Sequence, residues 1–263
     1  MSTVTAKCYK GQLHFIHKNN YESRGLSVER LIRESVDKYN IPKKFDFTVW
    51  TGDVPQGRLL SFSTARKNYD KTFPCFVYDG WPEVGLLNYD QTVSSFIDSD
   101  PLCNKIGWIG AIVCDVRKQY MSEYADTYFT EAITNNWNRY KPDALWKNTP
   151  TFLSYQDQID RWKYLLDIEG VGWSARTKVL LSSPRIVFIV DRPYEEWWYQ
   201  YLEPWKHYVP VKRDLSDLQE NYVKIENDVK LQEYIKREQH EFAKTYLTRD
   251  AALKQIRRVI SNL

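Results

Sequence analysis

Residues 186–190 (Ile-Val-Phe-Ile-Val) form an unbroken apolar, mostly β-branched run. Such a run predicts a strand of a parallel sheet that is covered on both faces. Residues 165–168 predict another short strand. Residues 175–181 predict a short helix with Ser174 as its N-cap, stopped by Ser183-Pro184. Between strand and helix lies Gly170-Val171-Gly172. The order strand, glycine turn, helix, strand gathers free N–H groups and the positive end of a helix dipole at one spot, where an anion can sit. Arg176 and Lys178 add positive charge there. A Gly-x-Gly alone is more often a plain turn than a phosphate site, so the pattern by itself leaves both readings open.

Elsewhere the pattern predicts a first strand over residues 9–17 and a helix over 28–39 capped by Ser27, with Leu31, Ile32 and Val36 on one face. Strands follow over 45–51 and 73–78, then a helix over about 120–140 and a strand over 207–211. Ser216 and Gln219 have the spacing of a capping box. Thr248 can cap a last helix whose Leu253, Ile256, Val259, Ile260 and Leu263 make an apolar stripe. Asp53 lies at the carboxyl end of the 45–51 strand, the side on which ligands gather in open α/β sheets. An aspartate in a surface turn reads the same way from sequence.

Composition narrows the function. With 37 basic and 34 acidic residues the net charge is only +3, too balanced for a nucleic-acid partner. No run has the length of a membrane span, and the first residues lack the apolar core of a signal peptide. Cys8, Cys75, Cys103 and Cys114 have neither zinc-site nor disulfide spacing, and no Asn-x-Ser/Thr acceptor is present. A reducing, cytoplasmic location is expected, as for a protein of a virus or microbe. Asp98-Ser99-Asp100 has the form of the Asp-x-Asp motif that grips a metal and a diphosphate in one class of glycosyltransferase. It is a short pattern among 34 acidic residues.

Gly170-Val171-Gly172-Trp173-Ser174-Ala175-Arg176, followed by Pro204-Trp205-Lys206-His207-Tyr208-Val209-Pro210-Val211 and Asp214-Leu215-Ser216-Asp217-Leu218, resembles glycosyltransferase family 90. That family includes the Rumi-type protein O-glucosyltransferases and the capsule-associated xylosyltransferases. The similarity runs through about residues 155–252. Thr48-Val49-Trp50-Thr51-Gly52-Asp53-Val54-Pro55 is similar to the family segment with the catalytic aspartate, which makes Asp53 the expected base. The resemblance also implies donor contacts from Gly110, Arg117, Gly172, Trp173, Ser174, Arg176 and Glu196, and an acceptor contact from Trp81. Ile109 and Ala111 replace an arginine and a serine of the family motif around Gly110.

The expected fold is therefore α/β, of the GT-B type: two Rossmann-like domains facing across a cleft. Residues 1–100 would hold the acceptor, 101–247 the nucleotide sugar, and 248–263 a helix that packs back on the first domain. The expected activity is metal-independent and inverting, with no cofactor. It moves xylose, or next glucose, from a UDP-sugar to a hydroxyl of an oligosaccharide or glycoprotein. A metal-dependent Asp-x-Asp enzyme and a non-catalytic carbohydrate- or nucleotide-binding protein are the alternatives.

Overall fold

The computed structural model describes residues 2–18, 22–41, 44–57, 59–65, 69–134 and 151–263. The first half is built on a four-stranded sheet in the order β2-β1-β3-β4. Strands β1 (Thr3–Tyr9) and β2 (Gln12–Lys18) form an antiparallel hairpin. Its turn residues Lys10 and Gly11 have φ of 49° and 79°. This positive pair is what a two-residue hairpin turn needs to match strand twist. The single strand expected over 9–17 is thus the turn and second arm of a hairpin. Helix α1 (Glu22–Tyr39) follows, with Ser27 buried inside it rather than capping it. Strand β3 (Phe45–Trp50) pairs antiparallel with β1 and parallel with the short β4 (Leu60–Ser61). This half is therefore a mixed sheet rather than the mostly parallel one of the Rossmann-like domain expected, because a tight hairpin fixes its first two strands antiparallel.

Residues 73–78 do not form the expected strand. Phe76–Tyr78 is one 3-10 turn, and Phe73, Cys75, Phe76, Val77 and Tyr78 are all buried. A continuous apolar run cannot by itself separate a core strand from a core turn, and Pro74 has no N–H for a ladder. Helix α2 (Tyr89–Ser94) then leads into the second half.

That half is a five-stranded sheet in which every neighbouring pair is parallel. Its strands are β6 (Cys103–Gly110), β7 (Thr130–Thr134), β8 (Trp162–Asp167), β9 (Ile186–Val190) and β11 (Val209–Val211). The spatial order is β11-β9-β8-β6-β7. The chain moves outward from β6 to β7, then returns to the other side of β6 for β8. The reversal point lies between β6 and β8. Helices α3 (Asp115–Tyr124), α4 (Tyr155–Arg161), α5 (Thr177–Leu181), α6 (Leu218–Glu226) and α7 (Val229–Tyr246) connect or cover these strands. The helix expected over 120–140 is divided: its start belongs to α3, the β-branched Thr130–Thr134 is β7, and residues 135–150 lie outside the described residues. Ser216 does not cap α6; its hydroxyl donates to Asp214, and Asp217 holds the N-cap position.

Several contacts join the halves. Helix α8 (Arg249–Ser261), capped by Thr248, buries Leu253, Ile256, Val259 and Ile260 in the core of the first half. The Ser35 hydroxyl donates to the Leu253 carbonyl at 2.8 Å. Strand β5 (Thr64–Ala65) pairs with β10 (Tyr194–Glu195). Trp173 and Val179 of the second half also enter the first half's core.

Inside the parallel sheet, packing is close enough to be tested. A Cβ on Gly107 would lie 1.7 Å from the ring of Trp162, which is fully buried. Gly107→Ala should lower unfolding stability by about 1–3 kcal/mol through overpacking. A denaturant titration should show a lower midpoint at unchanged slope.

Candidate functional site

In doubly wound sheets ligands bind beyond the carboxyl ends of the strands, where the strand order reverses. Here that crevice opens between the end of β6 (Gly110-Ala111) and the end of β8 (Ile168-Glu169). Arg117, on the first turn of α3, lies across it. Its Nη1 donates to the Ala111 carbonyl and its Nη2 to the Ile168 carbonyl, both at 2.9 Å. Its guanidinium also lies 5.4 Å from the ring centre of Trp108. Burial, with Arg176 nearby, pushes the pKa of Arg117 down to about 10. The guanidinium groups of Arg117 and Arg176 thus meet at this edge. Gly110 is needed because a side chain there would meet the Trp108 ring at 2.8 Å.

Asp167, the last residue of β8, ties the crevice together. It is fully buried and accepts from Ser174 Oγ at 2.6 Å and from Thr177 Oγ1 at 2.5 Å. Arg176 pairs with its Oδ1 at 3.2 Å and Arg192 with its Oδ2 at 2.9 Å. Burial alone would raise its pKa, but Arg192, Arg176 and the two hydroxyls outweigh burial and hold the carboxyl well below its usual range. Arg176 also donates to the carbonyls of Ile109 and Leu166. Helix α5 begins only at Thr177, so Ser174 serves the Asp167 carboxylate instead of capping it.

Gly172 brings the two halves into contact. A Cβ there would lie 2.0 Å from the Asp53 carbonyl oxygen, so only glycine lets the turn and the acid-bearing loop approach this closely. Asp53 itself is held by Arg24 of α1, whose Nη1 reaches Asp53 Oδ1 at 2.8 Å and the Thr51 carbonyl at 3.1 Å. The Asp53 side chain keeps 36% of its surface exposed. Arg24 lies 4.9 Å over the ring of Phe76. Trp81 and Trp173 both pack edge-on to the same ring. A cleft of about 60 Å³ runs from Trp81 past Ile109, Tyr155 and Gln158 to Arg176.

Gly110, Arg117, Ser174 and Arg176 thus gather at the crevice, and Gly172 joins them to Asp53. Two other expected donor contacts lie elsewhere. Trp173 is turned into the first half's core against Phe62 and Phe76. Glu196 is buried and paired with Lys178 at 2.7 Å, while Lys178 sits 5.1 Å from the Trp173 ring. Burial raises the pKa of Glu196, with Lys178 opposing. Glu196 lies between the short β10 and a 3-10 turn, Trp197–Tyr201. Asp98 pairs with Arg185 at 3.1 Å, before the starts of β6 and β9. Asp98 and Asp100 are therefore at the amino edge of the sheet, opposite the crevice. Among the described residues no cluster of three histidine, cysteine or acidic side chains could hold a metal, and no helix is long and apolar enough to cross a membrane.

Sequence reasoning missed Arg24, Asp167 and Arg192. The one available signal was an acid closing an apolar strand at Asp167; the partners of Asp53 and Asp167 come from remote segments.

A family model described as "Glycosyl transferase family 90" matches residues 48–261. Protein O-glucosyltransferase 1 of Rattus norvegicus is 44% identical over 79 residues, 29% of this chain and 20% of that protein. Protein O-glucosyltransferase 3 of Homo sapiens is 45% identical over 60 residues, 23% of this chain and 12% of that protein. Protein O-glucosyltransferase 2 of Danio rerio is 30% identical over 153 residues, 56% of this chain. The chain matches only 30% of the length of that last relative.

Asp167 gives a test of the crevice's construction. Asp167→Asn leaves Arg176 and Arg192 without their counter-charge and should cost about 3–5 kcal/mol. Because the folded carboxyl sits below its unfolded value of roughly 3.9, its contribution is present above that value and is lost as pH falls toward the folded one. Chemical unfolding across the acid range should show wild type losing this part of its stability while the variant does not.

Proposed function

The chain belongs to glycosyltransferase family 90, and on that footing we propose that it transfers a sugar from a UDP-sugar to a hydroxyl of a glycan or glycoprotein. The observation that carries the proposal is the seating of Gly172 on the Asp53 carbonyl. It sets an accessible carboxylate beside the crevice where buried arginines concentrate positive charge. A base and an anion site side by side are what glycosyl transfer needs.

In the proposed reaction the UDP diphosphate lies at the crevice near Arg117 and Arg176. Asp53 accepts the proton of the acceptor hydroxyl as its oxygen bonds to the anomeric carbon. The bond from that carbon to the diphosphate oxygen breaks, and UDP leaves with the electron pair. Attack from the face opposite UDP inverts an α-linked donor into a β-glycoside. The departing charge is stabilised by arginines already fixed to backbone carbonyls, so little reorganisation accompanies reaction. No metal is needed in this scheme.

The two sheets, meeting at Gly172, are proposed to act as the facing halves of a GT-B cleft, with Trp81 and its neighbours on the acceptor side. The relatives' names favour UDP-glucose as donor over the UDP-xylose expected from sequence. The four free thiols, among them buried Cys75 with its pKa pushed up to about 12, are compatible with a reducing compartment such as the cytoplasm.

The first measurement is UDP release from a panel of UDP- and GDP-sugars, with and without EDTA. Turnover of a UDP-sugar that survives EDTA is expected; abolition by EDTA would overturn metal independence. UDP binding without transfer to any acceptor would support the binding-protein alternative. Asp53→Asn should lower kcat by about 10²–10⁴, or roughly 3–5 kcal/mol, with UDP affinity retained. Near-normal turnover would remove Asp53 from the role of base. Arg24→Ala frees the Asp53 carboxylate from its orientation and should lower kcat by about tenfold to a hundredfold at unchanged UDP affinity. Arg24→Lys should recover part of that loss.

A further inference from the structure

Two polar atoms beside the crevice have no partner among the described residues although they are shielded from solvent: Glu169 Oε2 and Arg117 Nε. Glu169 is only 5% exposed and Arg117 8%. The two are neighbours through the end of β8, because Arg117 Nη2 holds the carbonyl of Ile168, the residue before Glu169. The other Glu169 oxygen is fixed by Arg213 Nη2 at 2.5 Å. The Arg213 side chain is 46% exposed, so this pair reaches the rim of the crevice. Cys114 Sγ donates to the Glu169 backbone carbonyl at 3.5 Å. One carboxylate oxygen is thus oriented, desolvated and unused. A buried acceptor left unpaired is costly, and a ligand that donates to it recovers that cost.

We propose that Glu169 is the ribose-binding residue of the nucleotide site, accepting hydrogen bonds from the vicinal 2′- and 3′-hydroxyls through Oε2. The assignment rests on the donor-crevice reading above. An ionised carboxylate only accepts, so the ligand group beside it carries donors and no negative charge. That excludes the diphosphate, which belongs with Arg117 and Arg176. The ribose is the hydroxyl-bearing group joined directly to the α-phosphate, and Glu169 immediately precedes the Gly170–Gly172 turn. Arg117 Nε donates to a ligand oxygen on the same side. In other doubly wound sheets an acidic side chain likewise receives ribose hydroxyls. Glu196, the acid expected to contact the donor, is instead enclosed with Lys178.

The test is calorimetric titration of the full chain with UDP, 2′-deoxy-UDP and 3′-deoxy-UDP. Wild type should bind UDP about tenfold or more tighter than at least one deoxy analogue. Glu169→Ala should bind all three with similar, weakened affinity. Glu169→Gln keeps the shape and the Arg213 contact but removes the charge, and should show reduced discrimination; it carries the variant arm if the alanine protein does not fold. Equal affinity of wild type for the three nucleotides overturns the ribose assignment alone. So does full discrimination persisting in either folded variant. If wild type binds none of them, the donor-site reading falls and the assignment falls with it.

Discussion

Asp167 is the point from which the second half's arginine-lined edge is built. One buried carboxylate receives two hydroxyls and two guanidinium groups that come from the glycine turn, from α5 and from the segment after β9. Removing a carboxylate from water is strongly unfavourable, and it is tolerated only because each oxygen finds charged and hydroxyl donors together. The same groups that satisfy Asp167 fix the direction of Arg176, which then reaches across to the end of β6. Charge at the crevice is thus held by the fold before any ligand arrives.

The halves are not free bodies joined by a flexible linker. Trp173 and Val179, on either side of the start of α5, are anchored among Phe62, Phe76 and other core residues of the first half. Below them Lys178 and Glu196 form an enclosed ion pair against Trp173. The segment that carries the glycine turn is therefore bolted to both sheets, which explains how Gly172 can rest on the Asp53 carbonyl without a hinge to bring it there.

Much of this was legible in sequence where local pattern and burial agree. The strand at Ile186–Val190, the glycine turn and the amphipathic α8 all showed the periodicity that their packing requires. Sequence failed where a local signal had a competing explanation. The Lys10-Gly11 turn hid inside what read as one alternating strand, and the apolar 73–78 segment became a buried turn around Pro74. At the site, residue types were legible but partners were not. Ser174 looks like a cap until Asp167 claims its hydroxyl, and Glu196 looks like a donor contact until Lys178 is seen beside it. Arg24 lies before the 48–261 segment that matches the family, so nothing local ties it to Asp53.

The position of α8 has a consequence for synthesis. Ser35 bonds to Leu253, and Arg249 pairs with Glu34 and Asp79, so the core of the first half is closed by a helix that follows the whole second half. While the ribosome is still making the second half, β1, β3 and α1 have one apolar flank without its cover. Contacts separated by some two hundred residues form late and slowly. The first half is thus made well before the helix that completes it, and in that interval its uncovered flank is open to chaperones or to aggregation.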